Sequence, residues 1–88
     1  MRANYTNYFH RIDNGYRCPA DYVGFGYAII NKDNYGDLSY EIYYIEDVII
    51  SEDPNFGEYV EPTEGAIMVE ERWTQRDAKE WCKKHPRE

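Results

Sequence analysis

The amino-acid sequence predicts an α+β fold: a small antiparallel sheet of about four strands with one C-terminal helix packed on it. Three observations carry this reading. The first is residue usage, with ten Tyr, eight Ile and four Val against five Ala and a single Leu, Leu38. β-Branched and aromatic side chains fit a half-buried pleated surface, whereas Leu and Ala are the strong helix formers. The second is the alternation of apolar and polar residues in several short stretches. The third is one stretch near the C-terminus with helical spacing and recognisable signals at both ends. At 88 residues the chain reads as one domain, residues 1–88, with a small core. Its hydrophobic content of 42% is enough for a folded structure.

The elements follow in order. Residues 5–12 alternate Thr6, Tyr8, His10 and Ile12 against Tyr5, Asn7, Phe9 and Arg11, a first strand. Asp13-Asn14-Gly15 is a turn signal, because Asn and Gly tolerate positive φ. Residues 16–21, with Pro19, read as loop. Tyr22 to Asn31 reads as one second strand, with Val23, Phe25, Tyr27 and Ile29 on one face. Gly24, Gly26 and Ala28 leave its other face nearly bare, a strip on which a helix or a large ring can sit. Lys32 to Asp37 is expected to be a hairpin loop.

A third strand starts at Leu38, with Leu38, Tyr40, Ile42 and Tyr44 on one face and Ser39, Glu41 and Tyr43 outward. After Tyr44 the alternation breaks. Ile45, Val48 and Ile49 follow Ile42 at helical spacing, while the β-branched content favours a strand with a bulge. Residues 51–65 contain Pro54, Gly57, Pro62 and Gly65 and are expected to form a long loop, a feature that is often functional in so small a domain. Ala66 to Arg72 reads as a fourth strand. Thr74 has the character of a helix N-cap, with Asp77 at the third helical position and Trp73 as a hydrophobic staple over Ala78. Ala78, Trp81 and Cys82 fall on one helix face. Lys83, Lys84 and His85 suit the negative end of the helix dipole, and Pro86 ends the helix. Trp81 is expected to lie on the sheet, over the Gly24–Gly26 strip.

Charge is arranged in blocks. Residues 33–71 hold twelve acids and no Lys or Arg, whereas residues 72–88 hold six bases against three acids. The formal net charge of −7 argues against direct binding to nucleic acid or to an anionic membrane, since like charges repel. No run of 18 apolar residues is present, which argues against a membrane span. Met1-Arg2-Ala3-Asn4-Tyr5 lacks the apolar stretch of a signal peptide. The expected location is therefore cytoplasmic, the host-cell cytoplasm if the chain is phage-encoded.

Catalytic and metal motifs are weak. Cys18 and Cys82 are far apart in sequence and in no Cys-x-x-Cys pair, so reduced thiols are expected rather than a disulfide, a zinc site or a redox centre. A nucleophilic Cys18 activated by His10 would need a chance juxtaposition across a hairpin. Residues 33–37 lack the oxygen spacing of a calcium loop, and Gly24-Phe25-Gly26 lacks the third glycine of a phosphate loop. Glu46-Asp47, Glu52-Asp53 and Glu70-Glu71 are too many carboxylate pairs to single out a general acid and base. Asn4-Tyr5-Thr6 matches a glycosylation sequon that has meaning only in a secreted chain. No cofactor and no enzymatic activity are expected.

The acidic block is the sharpest feature. Its acids are interleaved with Tyr40, Ile42, Tyr43, Tyr44, Ile45, Val48, Ile49 and Ile50, so it folds rather than forming an acidic tail. A solvated face is the plain explanation. The functional one is an inhibitor that shows a negative, Tyr-rich surface to a protein with a basic nucleic-acid groove, such as a nuclease, a restriction enzyme, a CRISPR effector or a polymerase. The candidate partner-binding residues are Asp33, Asp37, Glu41, Tyr43, Glu46, Asp47, Glu52, Asp53, Phe56, Glu58, Tyr59 and Glu61. Tyr43, Phe56 and Tyr59 are the ring contacts at the interface centre. Such small acidic chains resemble phage-encoded anti-defence and host-takeover proteins in composition, with no motif that ties this one to a named family. The alternative is a small-ligand, nucleotide or RNA-binding module that stacks bases on an aromatic sheet face.

Overall fold

In a computed structural model, residues 8–13, 20–34, 37–55 and 57–86 are described. The strands are β1 (His10–Ile12), β2 (Asp21–Gly24), β3 (Tyr27–Asn34), β4 (Asp37–Tyr44), β5 (Val48–Asp53), β6 (Gly57–Pro62) and β7 (Glu70–Arg72), followed by one helix, α1 (Gln75–Lys84). Five strands form an antiparallel sheet in the order β1-β2-β3-β4-β7, and β5 pairs with β6 in a separate ribbon. This is the expected α+β class with one helix, enlarged by one sheet strand and by the ribbon.

The second predicted strand is in fact the β2–β3 hairpin. Phe25 and Gly26 have φ of 57° and 84°, and Gly24 pairs with Tyr27 across them. Two central residues with positive φ are what a two-residue hairpin turn requires. A bulky residue rarely occupies the first of them, which is why Gly-Phe-Gly reads as strand. The turn reverses the face pattern: Val23 joins one core and Tyr27 the other. The strip at Gly24 is filled by the chain before β1, not by Trp81. A Cβ on Gly24 would stand 2.6 Å from the Tyr8 carbonyl oxygen and 2.9 Å from Phe9 Cδ1.

β3 and β4 pair along their full lengths, from Tyr27↔Tyr44 to Asn34↔Asp37, so the expected loop over residues 32–37 is mostly strand. Residues 45–50 contain both readings in succession: Ile45–Asp47 make one 3-10 turn, and Val48 begins β5. The turn is tied to the β2–β3 hairpin by the Ile45 N–H, which donates to the Gly26 carbonyl at 3.0 Å. The expected long loop over residues 51–65 is largely the β5–β6 ribbon. Its Pro and Gly residues fall where strands accept them: Gly57, with φ of 91°, opens β6, and Pro62 closes it. The fourth strand is shorter than expected, only Glu70–Arg72, with Val69 held to β4 through its N–H on the Ile42 carbonyl at 2.8 Å. β1 covers the last part of the expected first strand. The Asp13–Gly15 turn and the loop with Pro19 lie mostly outside the described residues.

Both faces of the sheet are covered. On one, Tyr22, Tyr27, Ile29, Tyr40 and Ile42 pack with Ala78 and Cys82 of α1. Ile29 and Ile42 are fully buried opposite each other, and each contributes about 1.5–3 kcal/mol through burial. On the other face, Ile12, Ala28, Ile30 and Tyr43 pack with Val60 of β6. Ser39 and Tyr43, expected outward, are therefore buried. The alternation of β4 is correct, but the ribbon covers the side assigned to solvent.

The helix follows its sequence signals closely. The Thr74 hydroxyl accepts the Asp77 N–H at 3.1 Å, and Ala78 and Cys82 face the sheet. Trp73 is 73% exposed, so the hydrophobic staple does not form. Trp81 makes a T-shaped contact with Tyr27, ring centres 5.3 Å apart, and stacks with His85 at 4.5 Å. Lys79 lays its ammonium 3.9 Å from the centre of the Tyr22 ring.

Candidate docking surface

The ribbon gathers the centre of the acidic block. Its register places Glu52 opposite Glu58, Ser51 opposite Tyr59, and Ile49 opposite Glu61. Side chains alternate between faces along a strand. Ile49, Ser51, Asp53, Tyr59 and Glu61 thus share the face turned from the sheet. Val48, Ile50, Glu52, Glu58 and Val60 share the other, where Val60 is the buried anchor. Glu46 and Asp47 stand in the 3-10 turn at the base of the ribbon. That base is closed by Thr63, whose N–H and hydroxyl both donate to the Asp47 carbonyl, at 2.9 and 3.1 Å.

Glu41 belongs to the same side of the molecule, on the face of β4 that carries Tyr43. The Tyr43 hydroxyl donates to Glu41 at 2.9 Å, and Glu71 of β7 sits directly across from Glu41. Burial first, and then the hydrogen bond and the two carboxylates, push the Tyr43 phenol up to about 12. Tyr43 thus supports this surface from beneath and is not an interface ring. Asp33 and Asp37 lie at the far end of the β3–β4 hairpin from the turn that leads into the ribbon. Phe56 lies outside the described residues.

Lys32 shares the ribbon-side face of β3 with Ala28 and Ile30, opposite Ser39. The bases of the C-terminal segment are elsewhere. Arg76, Lys79, Lys83 and Lys84 are on α1, across the sheet from the ribbon. Among the described residues the ion pairs are Arg11–Asp13, Arg72–Glu70 and Lys84–Glu80. Within the described residues, no basic side chain ion-pairs with Glu52, Asp53, Glu58, Glu61 or Glu64. Asp53 instead accepts the Asn55 N–H at 2.7 Å in the ribbon turn. Asp21 is buried, and its carboxylate accepts the Asn31 N–H at 2.9 Å, which serves the end of the β2–β3 ladder.

Sequence reasoning did not single out Glu64, exposed just beyond β6, or Ile49 and Ile50, which are 53% and 43% exposed. The available signal was the pair of consecutive β-branched residues in a segment flanked by turn residues, since a lone two-stranded ribbon cannot cover both of its faces.

Cys82 is a buried free thiol, pushed up to about 12 by burial. Cys18 lies outside the described residues. Among the described residues no group of three His, Cys, Asp or Glu side chains is placed to hold a metal ion. No helix among them is long and apolar enough to cross a membrane. No known protein family, curated protein or solved structure matches this chain.

Proposed function

We propose that this chain is a small acidic interaction protein, without enzymatic activity. It acts as an inhibitor that offers its acidic ribbon to a basic nucleic-acid-binding protein in place of a phosphate backbone. A phage anti-defence or host-takeover role fits that action. The observation that supports this reading most is the segregation of charge. Residues 46–64 contribute seven acids and no base, and they lie on the opposite side of the sheet from the basic helix. Carboxylates held only for solubility gain nothing from such segregation, whereas a focused negative field draws a positive groove and speeds encounter.

The alternative, base stacking on an aromatic sheet, is less well supported. Tyr22, Tyr27, Tyr40 and Tyr43 are all buried beneath the helix or the ribbon. The test is affinity capture of the partner from the native host, followed by binding measured from 50 to 500 mM salt. Affinity is expected to fall steeply with salt. The triple variant Glu52→Lys, Asp53→Lys, Glu58→Lys is expected to bind far more weakly than Asp13→Lys, Glu80→Lys. Affinity that stays flat across the salt range refutes the reading.

A further inference from the structure

We infer that the groove fitted by the ribbon is a single-strand nucleic-acid channel, cationic and lined with stacking side chains, and not a duplex-binding cleft. This rests on the inhibitor reading above and specifies its partner. Two independent observations carry it.

The first is charge spacing. A six-residue strand spans about 20 Å. Within that length the outer face of the ribbon carries Asp53 and Glu61, while Glu52 and Glu58 stand opposite each other on the other face. A groove that meets one face thus meets one carboxylate per ~10 Å, against one charge per ~3.4 Å along a single strand and one per ~1.7 Å along a duplex. That is about a third of the charge density of one strand and about a sixth of that of a duplex, so the single strand is the nearer match.

The second is the apolar surface between the charges. Ile49 and Ile50 are substantially exposed and Tyr59 is half-buried. On the outer face Ile49 lies opposite Glu61, next to the Ser51–Tyr59 pair. A duplex presents phosphate outward and hides its base faces in the stack, so a duplex cleft has no use for apolar groups between the charges. A single strand exposes its base faces, and the channels that hold it combine a positive track with aromatic platforms. The ribbon offers both complements on one narrow element.

The test titrates the full-length chain, in 50 mM and 300 mM salt, into two preformed complexes. One is fluorescent oligo(dT) on an OB-fold single-strand-binding protein. The other is a fluorescent duplex of equal length on a basic, sequence-independent duplex-binding protein. Half-displacement of oligo(dT) is expected at a tenfold lower chain concentration than half-displacement of the duplex. The variant Ile49→Ser, Tyr59→Ser, with an unchanged circular dichroism spectrum, is expected to lose that preference and to keep a salt-sensitive residual displacement. Ile49→Ser alone gives an intermediate preference. Equal or readier displacement of the duplex overturns the single-strand inference and leaves the inhibitor reading standing. Displacement of neither nucleic acid at 50 mM salt overturns both.

Discussion

Glu58→Lys is expected to stabilise the fold while it disables the docking surface. In the ribbon, Glu58 stands directly opposite Glu52, and both are exposed. Directly opposed like charges destabilise a sheet, and opposed unlike charges contribute roughly 0.2–1 kcal/mol. Reversing one member removes a repulsion and creates an attraction of similar size. The swing is therefore about 0.4–2 kcal/mol, which raises Tm by roughly 2–16 °C in a domain of this size. Glu58→Gln removes only the repulsion and gives about half of that gain.

Because the pair is exposed, the gain depends on ionic strength. The screening length contracts from ~30 Å at 0.01 M to ~3 Å at 1 M. Thermal unfolding followed by circular dichroism in 10 mM and 1 M NaCl reads the effect directly. A fall in Tm, or a gain of equal size in both salts, refutes the electrostatic account of the ribbon. A rise in Tm together with weaker capture of the partner identifies Glu58 as retained at the expense of stability, as expected of a surface shaped for binding.

Thr74→Ala removes the hydroxyl that caps α1 and is expected to cost about 1 kcal/mol, measured by urea denaturation with helical ellipticity as the probe. Gly24→Ala is expected to destabilise by about 1–3 kcal/mol, because the added carbon collides with the backbone at Tyr8 and with Phe9; an unchanged urea midpoint contradicts that packing. Stability is expected to fall as pH rises from about 9 toward 12, because Cys82 and Tyr43 both titrate higher in the folded chain than when unfolded. The sign follows from tighter proton binding in the folded state. That stability is present below the ordinary pKa values and is lost as pH passes through the raised ones. Tyr43→Phe is expected to flatten the part of this loss above pH 10 in denaturation curves collected by pH.

The helix was legible because each of its signals is local. Thr74, Asp77, the Ala78–Cys82 face and Pro86 act within a turn or two of one another, and no distant contact overrides them. The strand character of β3 and β4 was legible for the same reason, since alternation of Tyr40 and Ile42 with Ser39, Glu41 and Tyr43 is a property of the segment itself. The burial of its second face was not. Tyr40 and Ile42 face the helix-side core as read, but the cover over Ser39 and Tyr43 depends on where the ribbon folds back, and that depends on the 3-10 turn held by Gly26.

Phe25 misled the reading for a different reason. Its left-handed backbone costs about 1–2 kcal/mol for an ordinary residue. The compensation lies in tertiary contact, with the Phe9 ring 5.0 Å away. Of the docking surface, the acidic block was visible in the chain, and the gathering of Glu52, Asp53, Glu58, Tyr59 and Glu61 followed from register. The exposure of Ile49 and Ile50 was hidden by a chemistry that in most strands means core.

The five-stranded sheet also acts as an insulator between two poles. Taking ~10 Å per packed layer, the centres of the cationic helix and the anionic ribbon are separated by about 20 Å. A distant positive field therefore exerts a torque as well as a pull, and the molecule turns during diffusion so that the ribbon leads. Under the proposed inhibitor function, collisions on the wrong side are converted into productive ones, and substitutions at Lys83 or Arg76 are expected to change the rate of capture from the face opposite the ribbon.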